Sequence, residues 1–173
     1  MLPKITLVLG GASSGKSAYA ENLILNSGLA PVYIATAQAF DDEMKAKIFR
    51  HKQSRGNRWL TIEEPLAIPK VVNDCTSKQA VLIDCATLWL TNLILGEHDI
   101  AEHSYDLIKA LQASDAPVVV VSNEVGQGIV PDNALSRQFR SAQGTLNQQI
   151  ASAADLVVAV MAGLPMVLKG AAL

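Results

Sequence analysis

Short runs of apolar residues alternate with longer segments of mixed polarity along the chain. Five of these runs are almost wholly apolar, as is typical of strands buried on both faces of a parallel sheet. The predicted strands are Ile5–Leu9, Val32–Ala35, Val81–Asp84, Val118–Ser122 and Leu156–Met161. Two weaker segments complete the pattern. Trp59–Ile62 predicts an edge strand, and Met166–Lys169 follows the turn-forming Gly163-Leu164-Pro165, so we expect it to fold back antiparallel.

Helical patterns fill the gaps between these strands. We expect helices at Ser17–Asn26, Asp41–Ser54, Thr87–Leu95, Ser104–Gln112 and Asn133–Ala154. Gly28 is a plausible C-cap for the first of them, and the polar stretch from Gly96 to Ser104 predicts a surface loop. The alternation is that of an α/β fold with a parallel sheet. Since no repeat or linker interrupts it, we expect residues 1–173 to form a single domain.

Composition narrows the class of protein. Hydrophobic residues make up 50% of the chain and charged residues 17%, which excludes extensive disorder. The net charge is −2 and no basic tract is present, which argues against nucleic acid and anionic membranes as partners. Cys75 and Cys85 do not have the spacing of metal ligands. No apolar run is long enough to span a bilayer. Met1–Lys4 leads directly into a predicted strand, which leaves no room for a signal peptide. We therefore expect a cytoplasmic protein without stable membrane insertion.

One motif carries most of the chemistry. The first strand runs into a segment that matches the phosphate-binding pattern G-x-x-x-x-G-K-[ST] and is followed by a predicted helix, as the motif requires. Its residues are Gly10, Gly11, Ala12, Ser13, Ser14, Gly15, Lys16 and Ser17. Backbone N–H groups of such a loop bind phosphate oxygens, Lys16 is placed for the β- and γ-phosphates, and the Ser17 hydroxyl is placed for Mg²⁺. The sequence therefore predicts a site for a nucleoside triphosphate, ATP or GTP.

A second nucleotide signal lies at Asp84, which ends the apolar strand that begins at Ala80. An acid in this position of a phosphate-loop protein holds Mg²⁺, directly or through water. The alternative is that Asp84 caps the helix beginning near Thr87.

His51 stands out among the three histidines of the chain. At the helical period it shares one stripe with Met44, Ile48 and Arg55, and this stripe changes from apolar to polar. One interpretation is an amphipathic helix whose last turn carries basic residues. The other is a histidine that faces nucleotide phosphates, where a neutral imidazole is a competent nucleophile toward phosphorus.

Several residues outside these motifs have two interpretations each. Glu124 follows a strand at the ligand-binding edge and could act as an acid or base, or cap a turn. Arg137 and Arg140 lie on one helix face and could contact phosphate, a neighbouring subunit or solvent. We expect Trp59 and Trp89 to lie in the core.

An ordered set of motifs extends over nearly the whole chain, from Leu7 to Lys169. Besides the phosphate loop it includes Tyr33-Ile34-Ala35-Thr36-Ala37-Gln38, Asp41-Asp42-Glu43-Met44, Arg50-His51-Lys52, Trp59-Leu60-Thr61-Ile62-Glu63-Glu64-Pro65, Asp84-Cys85-Ala86-Thr87-Leu88-Trp89, Ser122-Asn123-Glu124-Val125-Gly126-Gln127-Gly128 and Arg137-Gln138-Phe139-Arg140. This set resembles the bifunctional adenosylcobinamide kinase / adenosylcobinamide-phosphate guanylyltransferase family of cobalamin synthesis.

The resemblance implies a phosphate-loop NTPase-like three-layer α/β/α sandwich, mostly parallel with an antiparallel C-terminal strand, that assembles as a homotrimer. It implies that adenosylcobinamide is phosphorylated with ATP or GTP, and that GMP is then moved from GTP onto that phosphate through a histidine–GMP intermediate. By motif match the histidine is His51, which acts with Lys16. Further nucleotide-binding positions implied by the match are Ala35, Thr36, Ala37, Lys52, Gln53, Ser54, Arg55, Glu63 and Asp84.

Two positions depart from some relatives. Arg50 stands where these have a second histidine, and Ser13 stands where some have arginine, which could alter kinase efficiency. Three alternatives remain open at this point: a plain phosphate-loop kinase of small molecules, a regulatory GTP switch, and a guanylyltransferase that has lost the kinase step. The sequence contains no Asn-Lys-x-Asp motif for recognising guanine, which argues against the regulatory switch.

Overall fold

The computed structural model describes residues 1–38 and 56–171. Within these ranges the chain forms seven strands, five α-helices and a short 3₁₀ turn at Gly56–Arg58. The strands are β1 (Ile5–Gly10), β2 (Ala30–Ala35), β3 (Leu60–Glu63), β4 (Gln79–Asp84), β5 (Val118–Asn123), β6 (Leu156–Met161) and β7 (Leu164–Lys169). The helices are α1 (Lys16–Leu25), α2 (Ile68–Asn73), α3 (Ala86–Leu95), α4 (Ile100–Ala113) and α5 (Ala134–Ala153).

All seven strands belong to one sheet in the order β3-β2-β4-β5-β1-β6-β7. Neighbouring strands are parallel except for β6 and β7, which form an antiparallel hairpin. The carboxyl ends of the first six strands therefore meet at one edge, where ligands collect in open α/β sheets. The mostly parallel sheet with an antiparallel C-terminal strand is confirmed.

The sheet is covered on both faces because successive residues of a strand point to opposite sides. On one side Leu7 of β1 belongs to a cluster with Trp89 of α3 and Leu146 of α5. On the other side Val8 belongs to a cluster with Ile24 of α1. Two helical layers around a central sheet are the predicted three-layer sandwich.

The tryptophans lie in the core, as predicted. Trp89 is fully buried and Trp59 is 8% exposed. The indole Nε1 of Trp89 donates a hydrogen bond to the Leu66 carbonyl at 2.9 Å, so its polar atom has a partner inside the protein. Trp59 packs edge-on against Tyr33, with ring centroids 5.8 Å apart.

Three details of the predicted helices and loops are wrong. The loop predicted from Gly96 to Ser104 is wrong in its second half, because α4 begins at Ile100. The reason is Asp99, whose carboxylate accepts hydrogen bonds from two free N–H groups in the first turn. Gly28 is not the C-cap of α1, since the helix ends at Leu25 with Asn26 in that position. The sequence analysis missed α2 altogether.

The predicted helix at Asp41–Ser54 lies outside the described residues. None of the described helices is long and apolar enough to cross a membrane.

Candidate nucleotide-binding site

Strand register brings four of the predicted nucleotide-binding positions to one edge of the sheet. Ala35 at the end of β2 is opposite both Glu63 of β3 and Asp84 of β4. Gly10 at the end of β1 is opposite Asn123 of β5. The phosphate loop and the acid of β4 thus lie on either side of the end of β5, about 10 Å apart at a strand spacing of about 4.8 Å.

The phosphate loop runs directly into the N-terminus of α1. Ser13 has φ 55°, and Gly15, at the N-cap, has φ 94°, a conformation that glycine adopts without strain. The ammonium of Lys16 donates to the Gly11 carbonyl at 3.0 Å and so lies across the loop. Because the first N–H groups of a helix lack internal partners, the loop and the start of α1 present donors and partial positive charge to an anion.

The loop packs too closely for larger residues at its first glycine. A Cβ on Gly10 would lie 2.3 Å from the Ser14 hydroxyl and 2.7 Å from the Val160 carbonyl oxygen. On the other side the Gly163 N–H, in the turn between β6 and β7, donates to the Ser14 carbonyl at 2.8 Å. A Cβ on Gly15 would also approach the Gly163 Cα to 3.1 Å. The turn of the β6–β7 hairpin therefore supports the loop.

Asp84 is held by Tyr33 and does not cap a helix. The Tyr33 hydroxyl donates to one carboxylate oxygen of Asp84 at 2.6 Å. Helix α3 begins at Ala86 with Cys85 as its N-cap and no side-chain capping bond. The capping alternative for Asp84 is therefore wrong.

The oxygen donors at this edge fit Mg²⁺. Mg²⁺ in nucleotide sites is held by one or two protein oxygens together with phosphates and water, and it prefers hard oxygen ligands. Ser17, in the first turn of α1, and Asp84, half-buried, are of that kind. The described residues contain no cluster of three His, Cys, Asp or Glu that would form a metal cage without a nucleotide.

Thr36 uses its side chain to join two strand ends. Its hydroxyl donates to the Cys85 carbonyl and accepts from the Cys85 N–H, both at 2.8 Å. The Asn92 amide donates to the Thr36 carbonyl at 2.8 Å and to the Pro65 carbonyl at 3.0 Å. Thr36 is fully buried, so it fixes the backbone of Ala35 and Ala37.

Burial raises the pKa of the Cys85 thiol to about 11, with a further contribution from the Asp84 carboxylate, and hydrogen bonds from the backbone of Leu88 and Thr87 oppose the rise in part. The Cys85 thiol is therefore buried and protonated at physiological pH, the state in which cysteine is a poor nucleophile.

Comparison with known proteins identifies the family. The model of the family described as cobinamide kinase / cobinamide phosphate guanyltransferase matches residues 6–168. The chain is 44% identical over 167 residues to the bifunctional adenosylcobalamin biosynthesis protein CobP of Pseudomonas aeruginosa, covering 95% of this chain and 96% of that protein. It is 41% identical over 179 residues to the bifunctional adenosylcobalamin biosynthesis protein CobU of Escherichia coli K12, covering 94% and 98%. The chain belongs to this family.

Solved structures agree on the fold. The RadB recombinase superimposes with a TM-score of 0.50 at 18% identity, over 91% of this chain and 74% of that one. A prototypical ATPase from the type III secretion system of pathogenic bacteria gives a TM-score of 0.57 at 12% identity, over 96% of this chain and 57% of that one. At such identities the likeness shows the phosphate-loop NTPase fold alone. The predicted fold class is confirmed.

The other residues that the family motifs assign to the nucleotide lie partly inside and partly outside the described part of the chain. Glu63 is exposed at the end of β3, and Ala37 is half-buried just beyond β2. His51 and the predicted contacts Lys52, Gln53, Ser54 and Arg55 lie outside the described residues. The structure thus describes the phosphate loop and the strand ends of the predicted site.

Glu124 and the two arginines of α5 contact the loop that joins β5 to α5. The Glu124 carboxylate accepts a hydrogen bond from the Gly126 N–H, so the turn-capping interpretation is observed. Arg137 donates to the Pro131 and Asp132 carbonyls at 3.0 and 2.7 Å. Arg140 donates to the Gly126 carbonyl.

The sequence analysis assigned no structural role to the polar residues that hold these strand ends. Tyr33, which contacts Asp84, is one hydroxyl-bearing residue in an apolar strand. Gln143 and Asn147 are buried on α5 and bond to Ser122 of β5. The sequence could have predicted this polar face of α5, because Arg140, Gln143 and Asn147 recur at helical spacing.

Proposed function

We propose that this protein phosphorylates adenosylcobinamide with ATP or GTP and then transfers GMP from GTP to the adenosylcobinamide phosphate, releasing pyrophosphate. The observation that carries the proposal is the family match over residues 6–168, whose description names both activities. The phosphate loop at the edge of the sheet supports it, since both reactions begin with a bound nucleoside triphosphate.

The nucleotide binds along the strand ends in this proposal. The loop from Gly10 to Ser17 receives the phosphates, with Lys16 on the β- and γ-phosphates, and residues 35–37, Glu63 and residues 52–55 contact the rest of GTP. Ser17 and Asp84 hold Mg²⁺, which neutralises phosphate charge when bound. The Tyr33 hydroxyl keeps the Asp84 carboxylate turned toward that position.

The kinase step joins the acceptor hydroxyl oxygen to the γ-phosphorus. The bond from the γ-phosphorus to the β–γ bridging oxygen breaks, the nucleoside diphosphate leaves with the electron pair, and the hydroxyl proton passes to solvent. The protein itself forms no covalent bond in such transfers. Catalysis therefore depends on Lys16 and the loop N–H groups, which position the phosphates and stabilise their charge.

The guanylyl transfer proceeds through His51 in two displacements. An imidazole nitrogen of His51 bonds to the α-phosphorus, and pyrophosphate leaves. A phosphate oxygen of adenosylcobinamide phosphate then attacks the same phosphorus and breaks the P–N bond, which gives adenosylcobinamide-GDP and restores the histidine. A covalent intermediate divides one difficult step into two easier ones.

The test is to incubate the protein with Mg²⁺ and GTP labelled at the α-phosphate, without corrinoid, and to measure acid-labile label on the denatured chain. We expect label on the wild type, none on His51→Ala, and discharge of the label onto adenosylcobinamide phosphate. His98→Ala is the matched control, because His98 is an exposed histidine beyond α3 and should leave labelling unchanged. Transfer of γ-label to adenosylcobinamide measures the kinase step.

Two results would change the assignment. Absence of covalent label in a folded, GTP-binding wild type would refute the histidine mechanism. If γ-label were still transferred, the protein would be a plain phosphate-loop kinase.

Assembly and location complete the proposal. We infer a cytoplasmic homotrimer in which each chain folds as a single domain. Support for assembly comes from β7, an edge strand exposed along its whole length that carries apolar side chains. These are Leu164, Met166, Val167 and Leu168. Exposed apolar edge strands are sites of pairing between chains, and light scattering behind size-exclusion chromatography would measure the trimer mass directly.

A further inference from the structure

A polar stripe on α5 faces the carboxyl end of β5. Gln143 donates to the Ser122 hydroxyl at 2.9 Å and to the Asn147 amide oxygen at 3.0 Å. Asn147 in turn donates to the Asn123 carbonyl at 3.1 Å. Arg140 lies one turn before Gln143 on the same face. The hydrogen bonds of this stripe therefore hold the end of β5 against α5.

Three polar atoms in this region are buried without a hydrogen-bond partner in the described part of the chain. They are the Nη1 nitrogen of Arg140, the Oε1 oxygen of Gln143 and the Oδ1 oxygen of Asn123. Gln143 itself is 0% exposed. Unpaired buried polar groups are costly, and an unpaired guanidinium nitrogen more than most. The unpaired atoms of Arg140 and Gln143 belong to residues one turn apart on the face of α5 that meets β5, whereas the side chain of Asn123 follows Ser122 and points to the other face of the sheet. The pair on α5 indicates a missing partner that supplies an anion for Arg140 and a hydrogen-bond donor for the Gln143 oxygen.

The end of β5, which α5 holds, lies directly beside the phosphate loop. Asn123 is opposite Gly10 in the sheet, and the Glu124 N–H donates to the Gly10 carbonyl at 3.2 Å. Since β5 separates β1 from β4, its end lies between the phosphate loop and Asp84. A ligand held at Arg140, beside the end of β5, would therefore approach the phosphates of a nucleotide bound to that loop.

The loop that follows β5 contacts Arg140. Gly126 is held twice, because its N–H bonds to Glu124 and its carbonyl accepts from Arg140. Beyond it Ile129 is 96% exposed and Val130 is 67% exposed. Exposed apolar side chains on the loop that Arg140 contacts suit a ligand that combines an anionic group with an apolar body.

We propose that Arg140 and Gln143 form part of the binding site for the acceptor molecule. The guanidinium of Arg140 exchanges the Gly126 carbonyl for the phosphate monoester of the acceptor, and the Gln143 amide oxygen accepts a hydrogen bond from one of its O–H or N–H groups. Ile129 and Val130 on the displaced loop cover its apolar part. This inference rests on the proposed function, because it places the second substrate beside the nucleotide.

The exchange is favourable on physical grounds. A guanidinium with phosphate forms two parallel charge-assisted hydrogen bonds, stronger than the bond to a neutral carbonyl. The planar fork of Arg140 gives the geometry that a lysine lacks. Arg140 is thus a substrate-binding residue for the transfer step and has no part in making the histidine–GMP intermediate.

The test separates the two halves of the guanylyl transfer in the full-length protein. We expect Arg140→Gln to take up α-label from GTP within twofold of the wild type, and to raise the KM for adenosylcobinamide phosphate at least tenfold. Arg140→Lys, which keeps the charge without the fork, should give an intermediate KM. Arg137→Gln is the matched control, since it removes two bonds to the same loop from a guanidinium whose nitrogens are not among the buried unpaired atoms. It should change that KM less than threefold.

The outcomes distinguish this proposal from the proposed function. If the wild type fails to pass label to the acceptor, the proposed function fails. If the wild type transfers label and Arg140→Gln does so with an unchanged KM for the acceptor, the acceptor site is refuted. Equal losses of label uptake and of acceptor transfer in Arg140→Gln and Arg140→Lys would show a purely structural role and refute it as well.

Discussion

The hydrogen bond between Tyr33 and Asp84 gives the sharpest prediction about the nucleotide site. Tyr33→Phe removes one oxygen from a residue that is 4% exposed and leaves its ring in place. The bond is 2.6 Å long and runs to a carboxylate. Such bonds stabilise proteins by about 1.5–3 kcal/mol. Because Asp84 is half-buried and water can replace the hydroxyl in part, we expect a loss near the lower end, about 1.5 kcal/mol of unfolding free energy.

The same change should weaken the response to Mg²⁺. Without the hydroxyl, the Asp84 carboxylate must be ordered on binding, at about 0.5–1 kcal/mol. At about 1.4 kcal/mol per tenfold, the Mg²⁺ concentration needed for half-maximal GTP binding should rise about two- to fivefold.

Urea unfolding and a fluorescent GTP analogue titrated at graded Mg²⁺ measure the two effects. Tyr19→Phe is the matched control, because Tyr19 is half-buried on α1 and no hydrogen bond of its hydroxyl is recorded among the described residues. A Tyr33→Phe protein with wild-type stability and an unchanged Mg²⁺ requirement would refute the role given to this bond.

Three further changes test other parts of the structure. Gly10→Ala places a methyl group against Ser14 and the Val160 carbonyl, so we expect a loss of about 1–3 kcal/mol in urea unfolding and weaker GTP binding in titrations; wild-type values for both would contradict the packing. The raised pKa of Cys85 contributes stability that is complete below pH 9.0 and is lost as the pH rises toward 11. The wild type should therefore lose about 2 kcal/mol more than Cys85→Ala between those pH values, and parallel stability curves would contradict it. Asp99→Ala removes the cap of α4 and should lower the unfolding free energy by about 1 kcal/mol without affecting GTP binding.

The fold was largely predictable because buried parallel strands can be recognised in the sequence as short apolar runs. The five strongest runs became β1, β2, β4, β5 and β6 with boundaries shifted by a residue or two. Helix α2 was missed because its six residues are too few for a helical period to stand out. The start of α4 was missed because polar residues dominate that stretch, although Asp99 followed three residues later by Glu102 is a capping signal.

The candidate site was predictable where chemistry concentrates in a motif. The phosphate loop could be recognised from its sequence motif, and Asp84 could be recognised from its position at the end of an apolar strand. The choice between its two roles needed the structure, because a carboxylate at a strand end looks the same whether it caps a helix or accepts from Tyr33. The bonds of Thr36 to Cys85 join residues 49 positions apart, a pairing that no local pattern reveals.

The support that Gly163 gives to the phosphate loop ties nucleotide affinity to the edge of the sheet. The Gly163 N–H holds the Ser14 carbonyl, and Gly163 lies in the turn of the hairpin that ends in β7. Whatever orders this hairpin also orders the loop, so subunit association through β7 and GTP binding would favour each other by the same factor. Dilution would then lower the affinity for GTP, and saturating GTP would slow subunit exchange.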